Sequence, residues 1–176
     1  MSDPRSMILD LFAGTGSATL PFRECGKHTV VGVDIVPGPY VEIVCDVRNL
    51  PRWVREAKWD FVWASPPCQE YSYVRTFNRH TFTRYDYHPD LSCWQAAIDM
   101  DADVIENVLG AQRTWGPPDV RFGPWCMWTD LKVEPTGPVP GKGRLIWRPE
   151  ISRTQRRSSD IPRPLANVFH RAVCEP

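Results

Sequence analysis

What most constrains this chain is a series of short apolar runs, each of which stops at a residue able to do chemistry. Met7 to Phe12 (MILDLF) is the first, and it halts at Ala13-Gly14-Thr15-Gly16. Ser17 to Cys25 then reads as a helix that begins at a Ser17 cap. Thr29 to Val33 (TVVGV) is a second β-rich run, ending at Asp34. Pro37-Gly38-Pro39 breaks the chain before a third, Val41 to Cys45, which ends at Asp46. Phe61 to Ala64 (FVWA) runs into Ser65-Pro66-Pro67-Cys68, and Val104-Ile105 runs into Glu106-Asn107. Strands alternating with helical segments predict an α/β fold with a mostly parallel central sheet and helices on both faces. Ligands of such open sheets sit beyond the carboxyl ends of the strands, so Gly14, Asp34, Asp46, Cys68 and Glu106 are expected to converge on one edge.

The remaining segments carry weaker patterns. Leu91 to Met100 reads as a helix, Trp125 to Leu131 as a further strand, and Trp115 to Pro118 and Pro135 to Gly143 as irregular. Pro164 to Val173 has Leu165, Val168, Phe169 and Ala172 at helical spacing, with a proline in its first turn. Between Cys68 and about Pro89 lies a stretch rich in Tyr, Arg, Thr and His, too long for an ordinary connector and expected to be a mobile functional loop. A surface excursion without a special role is the competing reading.

With 176 residues, 42% hydrophobic content and eight tryptophans, the chain has material for one sizeable core, so residues 1–176 are expected to form a single domain. No apolar run approaches the roughly 20 residues of a membrane span, and Met1-Ser2-Asp3-Pro4-Arg5 does not lead into a signal-type stretch. The expectation is a soluble, cytoplasmic protein with no membrane partner. Six cysteines are scattered without a Cys-x-x-Cys pair or a Cys/His grouping at zinc spacing, so neither a metal site nor a disulfide framework is expected. The formal net charge is zero but unevenly placed: residues 1–141 carry −5 and residues 142–176 carry +5. A basic end suits a phosphate-backbone partner, and it equally suits a solvated tail.

Gly14-x-Gly16 after a strand lets a ligand approach the backbone, but no third glycine and no Gly-Lys-Ser/Thr follows, so a phosphate site is disfavoured. A ligand with adenosine and no phosphate fits better, with Asp34 accepting from ribose hydroxyls and Asp46 facing the adenine amine. Both aspartates serve equally well as loop caps. In Ser65-Pro66-Pro67-Cys68 the two prolines stiffen the backbone and present a thiol at a strand end. A cysteine in isolation is more commonly a buried hydrophobe. Here, however, a carboxyl at the next strand end, Glu106, can engage a ring nitrogen while a thiolate adds to an electron-poor ring carbon.

These segments, in this order, resemble the DNA cytosine carbon-5 methyltransferase family. Asp10-Leu-Phe12-Ala-Gly14-Thr-Gly16-Ser17 is similar to its first cofactor motif, Pro66-Pro67-Cys68-Gln69 to its nucleophile motif, and Glu106-Asn107-Val108 to its glutamate motif. The resemblance implies a Rossmann-like S-adenosylmethionine-dependent fold with Cys68 and Glu106 as catalytic residues. It further implies a cofactor pocket formed by Phe12, Gly14, Thr15, Gly16, Asp34, Ile35, Asp46, Val47, Pro66 and Asn167. DNA is the implied partner, contacted by Gln69, by Arg75, Arg79 and Arg84 of the long loop, and by Arg156. Amino-directed DNA methyltransferases place an aromatic residue after the two prolines, so Cys68 argues against that class.

The match is clear from Met7 to Val108. Beyond it, Gln155-Arg156-Arg157 and Ala166-Asn167-Val168 resemble the family's arginine segment and closing motif, and the stretch before them is too short for a full target-recognition domain. A compact, phage-type enzyme of short or relaxed specificity is therefore expected, or one whose specificity comes from a protein partner or a dimer. The basic segment 142–176, with its terminal helix, would add phosphate contacts, a disordered tail being the competing reading. Two other functions stay open. One is cysteine-dependent modification of a free cytosine nucleotide or with another one-carbon donor, and the other is a non-catalytic DNA-binding relative.

Overall fold

The computed structural model of the chain describes residues 5–71, 90–134 and 160–174. At its centre is a seven-stranded mixed sheet of order β3-β2-β1-β4-β5-β7-β6. The strands are β1 (Ser6–Leu11), β2 (His28–Asp34), β3 (Ile43–Val44), β4 (Phe61–Ala64), β5 (Val104–Val108), β6 (Val120–Phe122) and β7 (Trp125–Trp128). The first five run parallel, with Leu11 level with Val33 on one side and with Ala64 on the other. Strand β7 runs antiparallel to both β5 and β6. From β1 the chain steps outward to β2 and β3, then returns to lay β4 on the opposite side of β1. The order therefore reverses between β1 and β4, where connections leave in opposite directions, the place at which open sheets of this kind bind ligands at the carboxyl edge.

Helices cover both faces, and alternation along the strands divides the core in two. Ile8, Phe61, Trp63 and Val104 face α1 (Leu20–Glu24) and the C-terminal helix α5 (Arg163–Cys174). Leu9, Leu11, Val62, Ala64 and Ile105 face the other way, toward α2 (Arg52–Glu56), α3 (Ser92–Asp99) and α4 (Gln112–Trp115). Phe22 of α1 stacks on Phe61 at 5.3 Å, and Phe169 of α5 meets Trp63 edge-on at 5.1 Å. On the opposite face Trp94 stacks on Trp115 at 4.4 Å and meets Trp128 edge-on at 5.0 Å, joining α3, α4 and β7.

Several boundaries differ from those the sequence suggests. The first helix starts at Leu20, with Pro21 in its first turn, because the Ser17 hydroxyl accepts the Ile161 N–H instead of capping. Strand β3 shrinks to two residues. Strand β5 extends to Val108, since β7 pairs with Glu106 and Asn107 and draws both into the sheet. A hairpin partner, β6, lies before β7, turning through Gly123 at φ +62°. Helices α2 and α4 are too short to leave a period. Among the described residues no helix is long and apolar enough to cross a membrane.

Phe169 is fully buried among both helices of its face. Phe169→Ala should lower unfolding stability by about 3–5 kcal/mol, read from urea denaturation, because neighbours anchored in the sheet cannot collapse into the cavity.

Candidate active site

At the carboxyl end of β1 the backbone departs from ordinary geometry. Phe12 adopts φ +63°, a left-handed conformation that bulky residues avoid and that persists only where the surroundings over-determine it. The Ala13 N–H donates to Val33 O at 3.0 Å and the Gly16 N–H to Ala13 O at 2.7 Å, curling the loop against β2. Gly16 has φ +70°, and a Cβ there would lie 2.6 Å from the Tyr40 side chain. The ring itself is held in place from below. Arg23 lies 5.4 Å over it and grips Glu42 at 2.7 and 3.0 Å, while Glu42 accepts the Gly32 N–H at 2.6 Å.

Gly14 and Thr15 form the exposed crest of this loop. The Gly14 N–H donates to Asp34 Oδ2 at 2.9 Å, and the other Asp34 oxygen accepts the Val36 N–H at 2.8 Å. Asp34 thus joins the ends of β1 and β2. Beside it Ile35 is 65% exposed, an apolar ledge next to open glycine backbone. Thr15 Oγ1 donates to Asp160 Oδ1 at 2.7 Å, so the segment before α5 is fastened to the same loop.

Asp46 does not face open space as its strand-end position suggests. Arg48 donates to both of its oxygens, at 2.5–3.0 Å, and holds the carboxyl below the usual carboxylate range. Any amine reaching Asp46 must share it with Arg48. The next residue, Val47, is buried at 4% within the core, where its side chain serves packing. Arg48 also lines a cleft of about 210 Å³ together with Pro66, Pro67, Tyr71, Asp90, Cys93 and Trp94.

The cleft's far wall is the turn that carries Cys68. Pro66 is buried, Pro67 and Gln69 are exposed, and Cys68 lies half-buried at the start of a single 3-10 turn. The fully buried Asn107 of β5 donates from Nδ2 to Pro66 O at 3.0 Å. After the turn, the Tyr71 N–H returns to Cys68 O at 3.0 Å, and the Tyr71 ring meets Trp94 edge-on at 6.1 Å. Gly110 lets this segment approach: a Cβ there would fall 2.0 Å from Tyr71 O. The register that sets Ile105 beside Ala64 brings Glu106 level with Ser65, at the root of the Cys68 turn. A thiol on a rigid turn and a carboxyl on the adjacent strand are thereby held at one edge, an arrangement suited to nucleophilic addition with acid assistance.

No protein-family model and no curated protein matches the chain. The site therefore stands on its own geometry, which brings Phe12, Gly14, Thr15, Gly16, Asp34, Ile35, Asp46, Pro66, Cys68, Gln69 and Glu106 to one edge of the sheet. Asn167 lies half-buried in α5, its carbonyl accepting from Arg171 at 3.4 Å, and the contacts from this region to the glycine loop come from Asp160 and Ile161 instead. Arg75, Arg79, Arg84 and Arg156 fall outside the described residues, as do the loop between Tyr71 and Asp90 and most of the basic segment. Asn107, Tyr71 and Gly110 do positioning work that sequence reasoning did not assign. Only Asn107 had left a trace, as a neighbour of Glu106.

A further residue under the loop is Asp10, 1% exposed, whose Oδ2 accepts the Thr19 hydroxyl at 2.5 Å. Burial pushes its carboxyl up to about 7, outweighing the Thr19 hydrogen bond and the Arg23 charge. The folded state keeps this proton to near neutrality, whereas the unfolded chain releases it near pH 4. The stability Asp10 confers is thus complete in acid and is lost as pH rises from about 4 through 7. Asp10→Asn removes this dependence. Urea unfolding of the two proteins should show the stability difference moving in the variant's favour by on the order of 3–4 kcal/mol between pH 4 and 7.5.

Proposed function

We propose that this chain transfers a methyl group from S-adenosylmethionine to carbon-5 of a cytosine flipped out of DNA, through a covalent adduct on Cys68. The observation that carries the reading is the buried hydrogen bond from Asn107 to Pro66, which fixes the Cys68 turn to the strand bearing Glu106. Supporting it is the glycine loop one strand away, across the reversal of strand order, where open-sheet proteins hold adenosine-type ligands. That arrangement also favours a Rossmann-like, S-adenosylmethionine-dependent version of the α/β fold.

The residues at the β1 and β2 ends suit an adenosine group without phosphate. Gly14 offers open backbone, Ile35 offers an apolar face 65% exposed, and Asp34 offers carboxylate lone pairs beside them. Phe12, Thr15, Gly16, Asp46 and Pro66 complete the set that would hold the cofactor, which supplies an electrophilic methyl group, while Val47 packs in the core beneath them. The Cys68 thiolate adds to carbon-6 of the ring while Glu106 engages the ring nitrogen at the Watson–Crick edge. Electron density then collects at carbon-5, where the bound cofactor would supply its methyl group, its carbon–sulfur bond breaking to leave S-adenosylhomocysteine. Loss of the carbon-5 proton to water or a nearby base restores the double bond and expels Cys68 as thiolate. Gln69 and the arginines of the loop and basic segment would meet the DNA.

Intact-mass analysis after incubation with duplex DNA containing 5-fluorocytosine tests the chemistry, because fluorine cannot leave as the proton does. A stable adduct mapped to Cys68 is expected. Cys68→Ser should reduce methyl transfer by roughly 10³-fold or more and leave S-adenosylmethionine affinity nearly unchanged. Tritium transfer from labelled cofactor to duplex DNA, single-stranded DNA and deoxycytidine monophosphate separates substrates. Labelling confined to the mononucleotide, or turnover by Cys68→Ser at the wild-type rate, would overturn the assignment.

A further inference from the structure

The amino-terminal edge of the sheet, opposite the Cys68 turn, gathers a second group of reactive side chains. Cys25 closes α1 and His28 opens β2, three residues apart across a tight turn. His170 and Cys174 lie one turn apart on α5 and so share a helix face. The ligand atoms of Cys25, His28 and His170 all lie within 4.8 Å of one another. Cys174 Sγ approaches His28 Nε2 at 3.1 Å from the far end of the sequence, 146 positions away.

We propose that Cys25, His28, His170 and Cys174 form a structural site for one zinc ion. Zn–S bonds of about 2.3 Å and Zn–N bonds of about 2.0–2.1 Å set ligand atoms about 3.3–3.8 Å apart in a tetrahedron. The three grouped residues, within 4.8 Å of one another, would have to draw in by about an ångström to reach that spacing, and Cys174, outside that group but 3.1 Å from His28, would turn to supply the fourth ligand. The surroundings favour that closure. His28 turns Nε2 inward because its Nδ1 is hydrogen-bonded to the Ser6 hydroxyl, the outer partner that ligating histidines usually have. Phe22 meets both rings edge-on, at 5.4 Å for His28 and 4.9 Å for His170, and fixes their planes. His170 Nε2 is buried, and all three grouped residues are half-buried, so the ion would sit under the surface with limited access to water.

Thiolates and imidazoles select zinc over magnesium or calcium, which prefer oxygen ligands. Four protein ligands leave no open coordination position, so the site would be structural and not catalytic. Binding would release the two thiol protons and form two zinc–thiolate bonds, fastening α5 to α1 and β2. The sequence holds only half a set at each end, Cys25-x-x-His28 and His170-x-x-x-Cys174, and no spacing along the chain unites them. The expectation of no metal site rested on the lack of a Cys-x-x-Cys pair and of a Cys/His grouping at zinc spacing, and it passed over these two half-sets. This inference is independent of the methyl-transfer reading.

Elemental analysis of the full chain, expressed with zinc in the medium and dialysed against metal-free buffer, should find one zinc per chain. Protein stripped with a chelator and titrated with Co²⁺ should show visible bands of tetrahedral intensity and a near-ultraviolet thiolate-to-cobalt transition. Cys25→Ser and Cys174→Ser should each weaken that transition, and Cys45→Ser, at the opposite edge, should not. If the two serine variants do not fold, the wild-type cobalt spectrum alone decides. Zinc well below one equivalent, a six-coordinate cobalt spectrum, bands indifferent to Cys25→Ser in folded protein, or a Cys25–Cys174 disulfide in the isolated chain would each overturn the proposal.

Discussion

Parallel pairing of β1, β2, β4 and β5 is the constraint on which the rest depends. Strands that run the same way deliver their carboxyl ends to one edge, and here those ends are Phe12, Asp34, Ser65 and Val108 or their immediate successors. Antiparallel pairing would scatter the same residues over two edges roughly 10–20 Å apart. Parallel strands also need crossovers, which cover both faces and leave β1 and β4 dry on either side. The carboxyl edge is thus the place where the central strands leave the core, and polar side chains gather there.

Within that edge, rigidity comes from a few buried polar contacts. Asn107 is 1% exposed, so removing its amide would leave the Pro66 carbonyl without that partner, a cost of about 1–3 kcal/mol. The contact binds the Cys68 turn to a strand and not merely to its own loop. The Phe12 backbone at φ +63° is strain of a related kind, held by the Ala13 and Gly14 hydrogen bonds to β2. Arg23 and Glu42 support Tyr40 from beneath and Tyr40 fills the space that Gly16 leaves, so the loop cannot relax without disturbing β2 as well.

Local pattern made much of this legible in the sequence. The apolar runs of β1 and β4, the helical spacing of Leu165, Val168 and Phe169, and the glycine loop all have signatures within a few residues, and the structure has these elements close to the anticipated bounds. What pattern could not supply was pairing between distant segments. Glu106 and Asn107 looked like residues beyond a strand end, yet β7 recruits them into β5. Ser17 looked like a helix cap, yet Ile161 takes its hydroxyl. Asp46 looked open, yet a side chain two residues on occupies both its oxygens, a contact decided by rotamer and not by residue type. The same reason hid the gathering of His28 with His170: each is unremarkable until α5 lies across the sheet.

That helix also determines when the molecule can exist. Leu165, Ala166 and Phe169 supply part of the wall against which Ile8, Phe61 and Trp63 are buried, and Asp160 and Ile161 fasten the glycine loop formed near the start of the chain. A nascent chain emerging from the ribosome would carry a finished set of parallel strands with one apolar face still wet. Until α5 emerges, the glycine loop lacks two of its anchors. Synthesis of α5 is therefore the step that covers this face and organises the loop together, and shorter intermediates would be exposed to aggregation through it.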